Sequence, residues 1–400
     1  MTVHDHRSLS MMPSEHVLRL ADPAVAMALG GFVREFNRRE RTVRIDGLTT
    51  FDGYYRDGHY AHDAAWGTGW VIDGRAVPYF HPNRSFHDEV IWLNGNLFYR
   101  TDASFEDKLV NAAVVKFYGP SNTLRIATAG TPWPYISFGE YRNDRSYRRR
   151  LLGNIDGASA RKEQLWGTTE LRTSLQTAAR DHARANPSEM DDGLSVDEVK
   201  TRRMRASDMV HWIAGLAPTW TAFYSGRPTM RSSFDMLTSN RGIGNYYGYH
   251  FSSNLARMPG IGAKSLIEAE HRDEFLALGI EHGRLDENDD YVVAGPGAMA
   301  TLSRLFPTVR VNTASSTPLI LAIRDNQEEF FGIKGDSQAE RDLLLSTELG
   351  RYTTFGCEIA CCQFNVFERA AADRRVASQR ASAPISVEAG RNVQDDGVFG

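Results

Sequence analysis

The chain has 400 residues, 42% hydrophobic and 24% charged, an ordinary globular composition with enough apolar material for a large core in one unit or two to three smaller ones. Its 46 basic and 50 acidic residues leave a net charge of −4, which excludes a nucleic-acid binder held by bulk charge and leaves local basic patches as the electrostatic route. No run of about 18 apolar residues occurs, so no membrane partner is expected. The three Cys all lie between positions 357 and 362, which excludes a disulfide framework and points to a reducing cytoplasm.

In chain order, residues 1–16 are charged, lack the apolar stretch of a secretory signal, and read as a disordered lead-in. A helix is expected from Pro23, with Asp22 as its N-cap; Leu29, Phe32, Val33 and Phe36 share a face, and Arg34, Arg38, Arg39 and Arg41 make the segment basic. Residues 50–86 are aromatic and glycine-rich and read as loops with a small hairpin. Helical periodicity covers Phe86 to Tyr118. Five arginines fall in 142–150, a polar helix with a joint at Asn186-Pro187-Ser188 covers 160–200, and a second basic knot, Arg202, Arg203 and Arg205, opens an apolar helix. Helices joined by glycine turns follow to Phe306. Arg310–Ile323 reads as a strand pair, and 371–400 as a disordered tail. The expected organisation is an N-terminal extension over 1–85, a helical catalytic unit over 86–370 and the tail. The fold class is mainly α.

Two glycine turns carry possible chemistry. In 237–255 a helix ends at Arg241, Gly242-Ile243-Gly244 reverses the chain, and a helix starts at Asn245 with Tyr246 in its first turn. In a helix-hairpin-helix the glycines permit the tight reversal, and backbone N–H groups of the next helix meet a DNA phosphate. An ordinary αα-turn has the same residues. The second turn, 257–270, repeats the form with Lys264 near its helix start.

A third cluster runs from acidic residues Asp286, Asp289 and Asp290 into Gly295-Pro296-Gly297-Ala298, which opens a helix carrying Arg304. Glycine at a helix start admits close approach of a charged group, although a tight capped loop would look alike. The fourth is the helix 355–370, where Glu358, Cys362, Asn365 and Arg369 fall on one face. Adjacent Cys361 and Cys362 without a CxxC pair or a nearby His argue against structural zinc and for small buried hydrophobes.

In this order the clusters resemble a phage family: the helical domain of hydroxymethyluracil-DNA kinases and the related α-glutamyl/putrescinyl thymine pyrophosphorylases, or amino acid:DNA transferases. Phe86–Arg100 is similar to the family's first helix, Gly242–Tyr249 to its GIG hairpin, Asp290–Ala298 to its VVPGPGA segment, and Glu358, Cys362, Phe364, Phe367 and Arg369 to its last helix. The resemblance spans about 86–370. It departs at Asn254, where the family has Asp, at Gln363 for Glu, at Phe367 for Tyr, and in an insert over 256–284. No GxxxxGK[ST] loop is present, so kinase activity is not expected.

The resemblance implies a fold related to helix-hairpin-helix DNA glycosylases, with small irregular or β additions. It implies an enzyme that joins an amino acid or amine, glycine among the candidates, to 5-pyrophosphoryloxymethyl-deoxyuridine in phage DNA with loss of pyrophosphate. That reaction needs a cation for the leaving group, a base for the amine and access to a flipped base. Arg369, Arg100 and Arg304 are the candidate cations, Glu358 the base, and Cys362 a candidate nucleophile. Gly242, Gly244, Asn245, Tyr246, Gly295, Gly297, Lys264, Arg148 and Arg149 are candidates for binding DNA and substrate. Magnesium held by Asp289 or Asp290 would share the charge, although solvated loop acids would look the same. The alternatives are a glycosylase or lyase using Lys264 as its amine, and a DNA-binding module without turnover.

Overall fold

The computed structural model describes residues 9–45 apart from 11, together with 71–72, 75–76, 90, 93–118, 122–161, 169–186, 195–201, 205–262, 277, 283–286, 289–331 and 352–382. The protein is mainly helical. Helix α1 covers Ser14–Leu18 and α2 Pro23–Ile45. A two-residue hairpin pairs β1, Val71–Ile72, antiparallel with β2, Arg75–Ala76. A π-helical turn, Asn94–Phe98, precedes α3, Phe105–Tyr118. There follow α4 (Asn122–Ala127), α5 (Phe138–Asn143), α6 (Arg145–Ala160), α7 (Thr169–Ala185) and α8 (Val196–Thr201). Then come α9 (Asp208–Ser225), α10 (Met230–Ser239) and α11 (Asn245–Leu255). The described helices end with α12 (Pro296–Leu305), α13 (Thr313–Asp325), α14 (Gln327–Phe330) and α15 (Thr354–Ser382).

Local signals explain most boundaries. Asp22 Oδ1 accepts from the N–H groups of Ala24 and Val25, which starts α2. The periodic segment 86–118 does not form one helix, because Ser104 and Asp107 exchange backbone-to-side-chain hydrogen bonds and restart the chain as α3. Helix α7 stops before Asn186-Pro187, and Ser195 with Glu198 caps α8 in the same reciprocal way.

Three expectations are corrected. Thr313–Asp325 is a helix rather than a strand pair: Asn312 and Ser315 form a capping box, and Leu319, Ile320, Ala322 and Ile323 bury at helical spacing. The lead-in is ordered over part of its length, since Leu9 is buried in the core and α1 starts at Ser14. Helix α15 continues past 370 to Ser382.

Leu9, Val17, Leu29, Phe32 and Val33 share one core cluster with residues of α3 to α7 and α9 to α15, so these N-terminal residues pack into the helical body. Within it α12 lies along α15, α10 along α11, and α9 against α3 and α7. A buried hydroxyl chain ties three of these together: Tyr224 of α9 meets Ser233 of α10 at 2.8 Å, Ser233 meets Ser252 of α11 at 2.7 Å, and Ser252 donates to the Gly248 carbonyl. Every hydroxyl in it has a partner, so the three helices are pinned in one register. No helix among the described residues is long and apolar enough to cross a membrane.

Candidate functional site

The first glycine turn is a helix junction as expected. Gly242 adopts φ +99° where α10 gives way to α11, and a Cβ there would meet Ala178 Cβ at 2.6 Å. Both the left-handed backbone and the close approach of α7 require glycine. Ile243 is buried and plugs the reversal, while Gly244 and Asn245 are exposed at the start of α11. In the second turn Gly260 has φ +84° and Gly262 bridges to Leu285; Lys264 lies outside the described residues.

From the first turn of α11, Tyr246 projects with 43% of its surface exposed. Its ring lies 4.0 Å from that of His250, one turn on, and 5.0 Å from that of Tyr247 at 78°. Lys116, in the last turn of α3 and only 8% exposed, places its Nζ 5.8 Å from the centroids of both tyrosine rings. An ammonium at that distance over aromatic faces is attracted by their quadrupoles.

The Gly295–Ala298 turn and α15 complete the cluster. The Gly295 N–H donates to Glu358 Oε1 at 3.0 Å, and Glu358 is 0% exposed. A Cβ at Gly295 would lie 3.5 Å from that oxygen and 3.8 Å from Tyr246 Cδ2, so the turn runs between carboxylate and ring. At Gly297 a Cβ would sit 2.8 Å from Cys362 Sγ. Thr301 donates to the Cys361 carbonyl at 2.7 Å and keeps α12 on α15. Phe355, one turn before Glu358, meets Tyr249 and His250 of α11 at 5.1 and 5.3 Å. The hairpin, the Gly-Pro-Gly turn and the last helix thus come together around Gly295.

The remaining candidates divide. Burial, reinforced by the Glu358 charge and offset in part by the Ala298 N–H, pushes the Cys362 thiol up to about 12. A thiol held neutral over the physiological range is a packing group, which corrects the nucleophile expectation. Arg100 makes two hydrogen bonds to Asp102, at 2.8 and 2.6 Å, and lies over Tyr135. Arg304 pairs with Glu368 and lies over Phe364. Arg369 is exposed, so the face Glu358–Cys362–Asn365–Arg369 runs from the core out to solvent. Arg148 donates to the Tyr141 carbonyl at 3.0 Å and serves the end of α5, whereas Arg149 is exposed.

The two acids proposed for magnesium have separate tasks. Asp289 accepts the Tyr291 N–H at 2.8 Å, and burial, with Asp286 and Asp290 nearby, raises its carboxyl to about 6. Asp290, 80% exposed, pairs with Arg324 at 2.9 Å. Among the described residues no group of three or more His, Cys, Asp and Glu is arranged to hold a metal ion.

Sequence reasoning missed Lys116 and His250. A lysine inside the apolar run Ala112–Tyr118 was the available signal for the first, and the Tyr246/His250 spacing of four on a helix for the second. Comparison of the chain with family models, with characterised proteins and with solved structures finds no match.

Proposed function

We propose that this chain is a DNA-modifying transferase that attaches an amino acid or amine to 5-pyrophosphoryloxymethyl-deoxyuridine in DNA. One observation supports the reading above the others: Tyr246, Gly295 and Glu358, from three segments far apart in the sequence, meet with the Gly295 N–H on the Glu358 carboxylate. These are three of the four segments that carry the sequence resemblance. The exposed tyrosine ring supplies a platform on which an unstacked base can lie, and the carboxylate beside it is the proton acceptor.

In the reaction, the lone pair of a neutral amine forms a C–N bond to the exocyclic carbon of the base. The C–O bond to pyrophosphate breaks, and its electron pair leaves on the oxygen. The secondary ammonium so formed passes a proton to Glu358. Because that carboxylate is 0% exposed and lies behind the Gly295 turn, the turn has to move as the base enters.

Nucleoside mass analysis tests the reading. DNA carrying the pyrophosphorylated base is incubated with the protein and a panel of amines, then digested. The transferase yields an intact, heavier nucleoside with one amine. A released free base or an abasic site would instead mark a glycosylase or lyase, and unchanged DNA with retained affinity a binding module.

A further inference from the structure

We propose that His250 is a positioning residue, the ring that sets the distance between the Tyr246 platform and the Glu358 carboxylate. The inference rests on the transferase reading for what lies on the platform and for what the carboxylate accepts.

The need for such a residue follows from the Gly295 turn. A Cβ at Gly295 would lie 3.8 Å from Tyr246 Cδ2 and 3.5 Å from Glu358 Oε1, so the turn separates the two groups. The same turn has to move as the base enters, and a segment that moves cannot hold ring and carboxylate at a set distance. Tyr246 and Glu358 stand on different helices, α11 and α15, and Tyr246 is in the first turn of its helix with 43% of its surface exposed. An exposed ring at a helix start shifts easily where no buried neighbour holds it.

His250 touches both ends. One turn after Tyr246, its ring lies 4.0 Å from the tyrosine ring at 34°, and it meets Phe355 at 5.3 Å and 79°. Phe355 is 0% exposed and stands one turn before Glu358 on α15, so its ring and the Glu358 backbone are placed together. Tyr249 meets the same Phe355 ring at 5.1 Å and 62°, which joins α11 to α15 through two neighbouring rings. His250 is itself only 3% exposed. These tilted and edge-to-face contacts are the geometries that aromatic quadrupoles favour. The ring chain Tyr246–His250–Phe355 does not include the Gly295 turn, and it persists when the turn moves. A base stacked on Tyr246 takes its position from that ring, and a displacement of about 1 Å between reacting groups costs up to about 10²-fold in rate.

The test uses the full chain with His250→Leu, which keeps apolar volume and loses the ring, and His250→Phe, which keeps the ring and loses its nitrogens. In single-turnover transfer at saturating DNA, His250→Leu should lower the rate about 10- to 100-fold, and His250→Phe should recover most of it. DNA affinity, set mainly by phosphate contacts, should stay within about 3-fold in both. A second readout does not need transfer: an oligonucleotide carrying 2-aminopurine opposite an abasic site should be quenched by stacking on Tyr246, less so in His250→Leu, and again fully in His250→Phe. Should His250→Leu not fold, Phe355→Leu breaks the same ring chain from α15 and should give the same loss of rate. Transfer at the wild-type rate in the folded variant overturns the proposal and leaves the transferase reading standing. A loss that His250→Phe shares overturns it as well, because the ring nitrogens would then be the working groups. If the wild type transfers no amine, the transferase reading falls; quenching that depends on His250 then keeps its hold on the platform, and quenching indifferent to His250 sinks both.

Discussion

The Gly295 N–H and Glu358 Oε1 are 3.0 Å apart, fully buried, and 63 residues apart in the chain. One hydrogen bond therefore serves the junction of α12 with α15 and aims a carboxylate at the proposed reaction centre. The two tasks separate by substitution. Glu358→Ala removes the acceptor, leaves a buried N–H unmatched and opens a void, and should cost about 3 kcal/mol in denaturant unfolding. Glu358→Gln keeps an oxygen at the same place and should fold like the wild type. Its turnover should fall about 10²–10⁴-fold, with partial recovery as pH rises and more of the amine is free. Near wild-type turnover in Glu358→Gln would make the carboxylate a clamp and nothing more.

Cys362 is expected to be inert. With its thiol raised to about 12, native protein at pH 8 should resist iodoacetamide at this position, read by peptide mass, and Cys362→Ala should keep turnover of the same order. Gly297→Ala, by contrast, drives a methyl to 2.8 Å from the sulfur and should destabilise by about 1–3 kcal/mol. Combining it with Cys362→Ala should recover part of that loss, because the 3.3 Å approach to the Cys362 carbonyl remains. Additive losses would mean that the sulfur is not the obstacle.

The basic segment at 142–150 should contribute to DNA binding through some of its arginines and not others. Arg149 and Arg150 are exposed on α6, while Arg148 is tied to the Tyr141 carbonyl and lies over its ring. Each phosphate contact removed lowers the slope of log K against log salt by about 0.9, so Arg149→Ala with Arg150→Ala should reduce it by about 2. Arg148→Ala should leave the slope alone and lower stability by about 1 kcal/mol. A slope unchanged in the double variant removes this segment from the interface.

Asp289 gives the protein a pH-dependent term of definite sign. Its folded-state carboxyl is raised to about 6, above its unfolded value, so the folded protein holds a proton there between about pH 4 and 6 that the unfolded chain has released. Stability from this group therefore falls as pH rises through that window, and a constant penalty remains above it. Asp289→Asn preserves an acceptor for the Tyr291 N–H and should raise stability at pH 7 by about 1 kcal/mol, the site being only half buried. Thermal melts of variant and wild type should converge below about pH 4. A variant that is less stable at pH 7 would show that the charge itself holds the loop.

What the sequence determined by itself is local. The Asp22 cap, the stop before Asn186-Pro187, the reversal at Gly242-Ile243-Gly244 and the helix opening at Pro296 each depend on groups within about four residues, and each is legible from residue type and spacing. The strand reading of Arg310–Ile323 failed on a signal of the same local kind, since the Asn312/Ser315 cap decided for helix. Tertiary structure alone decided the partners. Helical spacing put Glu358 and Arg369 on one face, but only the packing of α12 on α15 buried the first under Gly295 and left the second in solvent. It likewise gave Arg100 to Asp102 and Arg304 to Glu368, and brought Lys116 to Tyr246. A charged side chain takes whichever opposite charge, dipole or ring the fold brings within a few ångströms, and residue spacing along the chain does not encode which one that is.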